Sequence, residues 1–179
     1  MKNLRKAALI TCVMLGYVTT SSPVFGQDSP ALTDPEIASV AVVANQNDID
    51  FAKIAVEKSQ NPKVVEFAKT MITDHNAVIG LAVDLVTKLN VTPTDNAVSK
   101  QMTADAKKTT EMLNLKSGND FDKAYVDNEV VYHKAVIGAV KTVLIPQTQN
   151  EELKALLQKV VPILETHLGH AEMLQKQFK

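Results

Sequence analysis

Cysteine, arginine and glycine are scarce in this sequence of 179 residues, and each shortage excludes a kind of chemistry. The only cysteine is Cys12 and the only arginine is Arg5, and both lie in a segment that we predict to be removed on export. The mature chain would then have no disulfide and no thiol nucleophile. Six glycines leave little room for phosphate-binding loops, and the chain has no G-x-S-x-G, P-loop or H-E-x-x-H motif. The sequence therefore offers no recognisable catalytic residue, and we expect no organic cofactor.

The first 26 residues have the pattern of a secretory signal peptide. Three basic residues precede an apolar run at 7–18, and a small-residue cleavage signal follows at 24–26. The run is shorter than the roughly 20 residues that a permanent membrane-spanning helix needs. We therefore predict an exported, periplasmic protein whose mature chain has no transmembrane helix. Association with the outer membrane is an alternative, as is a lipid anchor on Cys12, although the apolar stretch before that cysteine is too short for a lipoprotein signal.

The composition of the mature chain argues against nucleic acid as a partner. Three of the 19 basic residues belong to the signal, so 16 lysines remain against 20 acidic residues, a net charge of about −4. Phosphate and nucleic-acid sites favour the forked guanidinium of arginine and a positive surface. We expect no nucleic-acid binding, and the remaining length suits a single domain.

Apolar residues recur at helical spacing through the rest of the chain, and no segment alternates with the two-residue period of a strand. Residues 27–33 are predicted to be a flexible leader, and 34–179 one helical domain. Asp34, Asn61 and Asp120 are predicted to cap helices, and the predicted helices cover about 34–59, 62–90, 95–116, 121–146 and 150–178. Short connections favour antiparallel neighbours. The predicted fold class is therefore all-α, an up-and-down antiparallel helical bundle.

Four histidines lie inside predicted helices and are the candidate metal ligands. His75, His133 and His167 each fall near the middle of a different helix, so antiparallel packing could bring them to one level. Glu129 precedes His133 by four residues and shares its face, and His170 follows His167 by three. Imidazole and carboxylate ligands suit a Zn, Fe, Mn or Cu ion. The sequence alone does not say which of these ions would bind.

The other carboxylates near this level are weaker candidates. Asp74, Glu165 and Glu172 are close to histidines in the sequence, but their helical phase predicts that they point elsewhere. Asp50 and Glu57 are seven residues apart on the first helix, and we predict that both are solvated. A metal site therefore depends on whether the three central histidines meet.

Three segments of the chain resemble a known family. They are NPKVVEFAKTMITDHNAV at 61–78, SGNDFDKAYVDNEVVYHKAV at 117–136 and ELKALLQKVVPILETHLGHAEML at 152–174. Together they resemble the domain-of-unknown-function family 4142 over roughly 36–178. The family pattern matches Met71, Asp74, His75, Phe121, Asp122, Tyr125, His133, Pro162 and His167.

The resemblance implies an exported bacterial protein with a ferritin-like bundle, of a kind often labelled an outer membrane protein. A ferritin-like fold in turn suggests a di-iron centre, which takes a Glu-x-x-His pair from each of two helices. No Glu-x-x-His pair occurs in this sequence. The resemblance therefore implies the fold and export, and it does not support ferroxidase chemistry.

Three functions are compatible with these patterns. The sequence favours a non-catalytic protein of the cell envelope that acts through a protein partner, with histidines that serve the structure. In that case His75 would hydrogen-bond to a neighbour such as Glu129 or Tyr125. The alternative is a periplasmic metal-binding bundle with a mid-bundle His/Glu site. A metal-dependent oxidase is the third, and it would also need an open position on the ion. The oligomeric state does not follow from the sequence.

Overall fold

The computed structural model describes residues 31–178, and all regular structure in that range is helical. The predicted all-α, up-and-down antiparallel bundle is confirmed. Within 31–178 there are four bundle helices, one outer helix and the short α5: α1 (Asp34–Lys58), α2 (Pro62–Lys88), α3 (Ala97–Asn114), α4 (Gly118–Ala139), α5 (Ile145–Gln147) and α6 (Glu151–Gln175). The predicted signal peptide, 1–26, lies outside the described residues. No helix within 31–178 is long and apolar enough to cross a membrane.

The central bundle consists of α1, α2, α4 and α6, and α3 packs on the outside of α1. The Asp34 carboxylate accepts hydrogen bonds from the backbone N–H groups of Gln149 and Asn150, so α1 and α6 start at the same end, here called the lower end. Gln175 near the end of α6 donates to Asp127 near the start of α4. Each bundle helix is therefore antiparallel to its neighbours, and α3 forms the crossover between two hairpins, as in ferritin-like bundles.

The helix starts follow the expected capping chemistry with two corrections. Asn61 caps α2 as predicted, because its side chain accepts from the Lys63 N–H. Asp34 does not cap α1; the cap is Thr33, whose backbone N–H and hydroxyl both donate to Glu36. Similarly α4 begins at Gly118 with Ser117 as its cap, earlier than the predicted cap at Asp120.

Two irregularities occur in the lower half of the bundle. The helix that contains α4 continues through a π-helical segment, Val140–Leu144, into α5. On the facing helix α6, Pro162 lies within an unbroken helix. A proline inside a helix removes one backbone hydrogen bond. Turns of π-helix are rare in proteins, and those that occur are often found at functional sites.

The bundle interior has an apolar upper part, a polar middle layer and an apolar lower part. The upper part contains an aromatic cluster made of Phe51, Phe67, Phe121 and Tyr125. The lower part is aliphatic, and its buried members include Ile37, Val40, Leu144, Leu153 and Leu157. The polar middle layer consists of Asp48, His75, Glu129, His133 and His167, all of them buried. Such a layer is costly unless its charges and polar atoms are matched.

Candidate metal centre

Three histidines from three helices meet in the polar middle layer. His75 lies on α2, His133 on α4 and His167 on α6. Their ring centroids are 5.7, 5.1 and 5.6 Å apart. Each ring can offer one nitrogen such that the three nitrogens lie within 4.8 Å of one another. The structure thus has the convergence that a shared metal site requires.

Hydrogen bonds fix the tautomers of His75 and His133. The His75 Nδ1–H donates to Asn45 Oδ1 at 2.7 Å, and that amide is itself oriented because its Nδ2 donates to a backbone carbonyl. The His133 Nδ1–H donates to the Glu129 backbone carbonyl at 3.0 Å. With Nδ1 protonated in both rings, both Nε2 atoms carry free lone pairs.

His167 has the opposite tautomer. Its Nε2–H donates to Asp74 Oδ2 at 2.9 Å, which leaves Nδ1 as the nitrogen with a free lone pair. That Nδ1 atom is buried and has no hydrogen-bond partner among residues 31–178. An imidazole whose outer N–H is held by a carboxylate is the usual arrangement of a metal-binding histidine. The prediction that Asp74 points away from the site was therefore wrong, because its carboxylate reaches across from α2 to α6.

Asp48 on α1 completes the centre, although the sequence analysis did not single it out. Its side chain is fully buried, with 0 % of its surface exposed. Asp48 Oδ1 lies 3.5 Å from His75 Nε2, and Oδ2 lies 3.7 Å from His133 Nε2. Asp48 also groups with Glu129 and His133 as donors within 4.8 Å of one another. All four bundle helices therefore contribute to the centre.

Glu129 lies where the sequence placed it, on the same face of α4 as His133. Its Oε2 is 3.6 Å from His133 Nδ1. Burial raises the pKa of Asp48 to about 8, and burial together with the neighbouring Asp48 charge raises the pKa of Glu129 well above its usual range. Two carboxyl groups packed together in the interior cannot both ionise without a nearby positive charge.

The histidines remain neutral over the physiological pH range. Burial lowers the pKa of His75 to about 3, with smaller contributions from His133 and His167. Burial likewise lowers the pKa of His133 to about 4. The pKa of His167 is also lowered by burial, against the opposing effect of Asp74. Neutral imidazoles are the form that binds metal ions.

The centre holds an unusual number of buried polar atoms without partners. Within the described part of the chain, the atoms that find no hydrogen bond include His75 Nε2, His133 Nε2, His167 Nδ1 and both carboxyl oxygens of Asp48 and Glu129. Native interiors contain few such atoms, and each calls for an explanation. Lone pairs on three nitrogens and four oxygens in one place form a mixed N/O donor set.

The remaining sequence candidates lie outside this centre. His170 is exposed on α6 and is not among the grouped donors. The offset of about 60° between positions i and i+3 is enough to take it from the edge of the buried stripe to the exposed side of the helix. Asp50 and Glu57 are exposed as predicted. Glu165 pairs with Lys141 on the surface, and Glu172 pairs with Lys134 at 2.7 Å. The suggested hydrogen bond from His75 to Glu129 or Tyr125 was wrong, since the partner is Asn45.

A signal for Asp48 was present in the sequence. Ala44, Asp48, Ala52 and Ala55 follow one another at spacings of four, four and three residues, so Asp48 interrupts the buried stripe of α1. A carboxylate at such a position must be buried. Asn45 lies one residue after Ala44, and nothing in its spacing marks it as a partner of His75.

The comparisons with known proteins identify the family. The model of the family described as Domain of unknown function (DUF4142) matches residues 19–174. The chain belongs to this family. No curated protein matches the sequence.

Among solved structures, the bundle is similar to CopM in its Cu(II)-bound form, with a TM-score of 0.63. That similarity covers 83% of this chain and 100% of the CopM chain, at 15% sequence identity. At this level of identity the likeness concerns the fold.

Proposed function

We propose that this DUF4142 protein is a metal-binding bundle in which His75, His133, His167 and Asp48 bind a divalent transition-metal ion, with Glu129 beside it. The observation that carries the proposal is the set of free donor atoms. One ring nitrogen of each histidine and both oxygens of Asp48 are buried without a hydrogen bond to an N–H or hydroxyl donor within residues 31–178, and the neighbour that can share a proton with Asp48 is the Glu129 carboxyl group.

The spacing of these atoms supports coordination better than hydrogen bonding. The 3.5 and 3.7 Å separations between the Asp48 oxygens and the two Nε2 atoms exceed the usual 2.7–3.2 Å of an N–H···O bond. Two ligands held about 2.1 Å from one tetrahedral ion are about 3.4 Å apart. Lone pairs that face each other in a buried site repel, and a cation between them turns the repulsion into attraction.

Charge balance supports a divalent ion. Three neutral imidazoles and two ionised carboxylates, Asp48 and Glu129, would carry two negative charges in a buried layer. A divalent cation brings that total to zero, which avoids the cost of an uncompensated interior charge. Binding would release protons from the carboxyl pair, since metal ligands bind in their deprotonated form.

The donor set favours Cu(II) or Zn(II). Imidazole suits both ions, and a mixture of nitrogen and carboxylate ligands is compatible with either. CopM has the same fold and is described in a Cu(II)-bound form, so Cu(II) is the first ion to test. The predicted export signal at 1–26 would deliver this site to the periplasm, where the protein would act by binding the ion.

The experiment is a metal titration of the full-length chain purified without a histidine tag and stripped with a chelator. We expect one tightly bound Cu(II) or Zn(II) per chain by elemental analysis after desalting. His167→Ala should lose this ion, because it removes a central nitrogen ligand. His170→Ala is the matched control on the same helix and should keep it.

Equal metal content in His167→Ala and His170→Ala would refute the proposal. So would a wild-type protein that retains no ion after desalting at neutral pH. Either result would favour the other function that the sequence suggested, a non-catalytic envelope protein whose histidines form only a neutral hydrogen-bonded layer.

A further inference from the structure

A cavity of about 430 Å³ extends from the polar middle layer into the lower half of the bundle. This volume is within the roughly 300–1,000 Å³ of small-molecule sites. The exposed residues among its lining are Asp105, Lys108 and Val131. Because they lie on α3 and α4, the cavity opens to solvent between these two helices.

The cavity has a polar end and an aliphatic body. Asp48, His75 and His133 line the end that meets the candidate metal centre. Away from that centre, the lining is mostly aliphatic and comes from α1, α2, α4, α6 and the π-helical segment, among them Val40, Val78, Val140, Leu144, Leu153, Leu157 and Val160. The α3 helix adds Met102 and, at the opening, the charged pair Asp105 and Lys108. A ligand that matches this lining has one polar end and one apolar chain.

The helix irregularities described above border this cavity. Val140 and Leu144, the first and last residues of the π-helical segment, both line it. Val160 and Leu164 line it from α6, on either side of Pro162. A π-helical turn changes which side chains face the interior and is frequent at functional sites. The irregular backbone is thus concentrated where the interior is hollow.

We propose that this cavity binds a straight-chain aliphatic carboxylate, with the carboxylate as a fifth ligand of the metal ion and the chain between α4 and α6. The bound carboxylate would take the place of Glu129 as the second negative charge, so a divalent ion still balances the layer. The proposal rests on the metal-binding function proposed above. The lining along α6 from Leu153 to Leu164 spans about 16 Å at 1.5 Å per residue. C–C bonds of about 1.5 Å joined at about 111° advance about 1.3 Å each, so an extended chain of roughly twelve carbons spans about 14 Å and fits within this length.

The first measurement is the binding of dodecanoate to the zinc-loaded full-length chain, followed by displacement of a fluorescent fatty acid and by calorimetry. We expect saturable binding of one dodecanoate per chain, and at least tenfold weaker binding of butanoate because it fills little of the aliphatic body. The absence of saturable dodecanoate binding to protein with a verified zinc content would overturn this inference and leave the metal proposal standing.

Two variants test the position of the chain. Val160→Trp fills the aliphatic body and should weaken dodecanoate binding at least tenfold without changing the zinc content. Val83→Trp is the matched control, since Val83 is 51% exposed on α2 and is not part of the lining. If Val160→Trp does not fold, Leu157→Ala enlarges the same space and should shift the preference toward tetradecanoate. Unchanged affinity and chain-length preference in the folded variant would contradict the proposal.

The orientation of the ligand is tested through the metal. Dodecanoate should bind at least tenfold more weakly to the metal-free chain, because the carboxylate loses its cation and meets Asp48 instead. In the Cu(II)-loaded protein, the carboxyl carbon of labelled dodecanoate should relax faster than its terminal methyl carbon. Equal affinity with and without metal, or faster relaxation of the methyl carbon, would show that the head group lies elsewhere and would overturn the assignment.

Discussion

The aromatic cluster in the upper bundle and the polar layer beneath it are buried to a similar depth but are stabilised differently. Phe121 stacks on Tyr125 with ring centroids 6.4 Å apart, and Phe67 lies 6.2 Å from the same ring. These ring contacts need no partner outside the fold, although the Tyr125 hydroxyl also has no hydrogen bond within residues 31–178. In the polar layer, Asp48 and Glu129 are equally buried, yet their oxygens have no hydrogen bonds within residues 31–178.

This difference indicates what each region does. Packing of apolar groups stabilises a bundle without any ligand. Buried carboxyl groups without partners destabilise it, and such groups persist where they serve a function. We therefore expect the upper cluster to contribute to the stability of the fold and the polar layer to the proposed metal binding. Substitutions in the upper cluster should therefore lower the stability and leave the metal content unchanged. Substitutions in the polar layer should remove the metal and not lower the stability of the metal-free chain to the same extent.

The largest effect on stability should come from the upper cluster. Phe121 is fully buried, and Phe121→Ala should lower the free energy of unfolding by about 3–5 kcal/mol through lost burial and a residual cavity. Chemical denaturation of the metal-free chain measures this loss. Leu115→Ala is the control, since Leu115 is 89% exposed, and it should change stability by less than about 0.5 kcal/mol. Loss of zinc from a folded Phe121→Ala variant would contradict the view that the upper cluster takes no part in metal binding.

Asp48→Asn should change the stability of the metal-free chain by less than Phe121→Ala does, and in the opposite direction. The pKa of Asp48 in the folded state, about 8, is above its ordinary value of 3.8, so its protonated form stabilises the fold at low pH and this contribution is lost as the pH rises toward 8. Between pH 6.5 and 8, His75 is neutral in the folded state and still loses protons in the unfolded state, where its ordinary pKa is 6.5. This contribution is the same in the wild type and in Asp48→Asn, so it cancels when the two are compared.

In this window the metal-free wild type should lose about 1 kcal/mol of stability per pH unit relative to Asp48→Asn. Denaturation curves at three pH values measure the difference, and zinc binding should be lost in the same variant. Asp50→Asn provides the control, because Asp50 lies on the same helix with its side chain 52% exposed. If the difference in stability between the wild type and Asp48→Asn did not change with pH, ionisation of the buried Asp48 would not destabilise the fold, which would contradict this prediction.

The smallest effect on stability is expected at the edge of the polar layer, where Asp74 is 42% exposed. Asp74→Ala removes the acceptor that holds the His167 tautomer, and it should weaken zinc binding about tenfold. Stability of the metal-free chain should change by less than about 1 kcal/mol, since the interaction is partly solvated. Thr73→Ala is the neighbouring control for calorimetric titration. Equal zinc affinities for the two variants would mean that Asp74 has no role in orienting His167.

The sequence predicted the helices, and it raised the convergence of His75, His133 and His167 as a hypothesis, because helical periodicity and helix length put all three near mid-helix. Helix phase places a residue on a face to within a few tens of degrees, which suffices for a buried stripe. It does not fix the reach of a side chain. Asp74 was misplaced for that reason, since its carboxylate crosses from α2 to His167 on α6.

Asp48 and the cavity illustrate the two kinds of information that the sequence analysis lacked. Asp48 lies on a stripe of buried alanines, but its residue type by itself indicates a solvated position, since aspartates are seldom fully buried. The cavity depends on how closely α3, α4 and α6 approach one another and on the π-helical segment. No local sequence pattern predicts the distance between packed helices or the extra residue that a π-helical turn contains.

The most direct test of the central claim is anomalous diffraction at the zinc edge from crystals of the zinc-loaded full-length protein. We expect one strong peak in the polar layer, about 2.1 Å from His75 Nε2, His133 Nε2 and His167 Nδ1, with an Asp48 oxygen as a further ligand. A polar layer without a peak, or zinc found only at the exposed His170, would contradict the assignment of this layer as a metal centre.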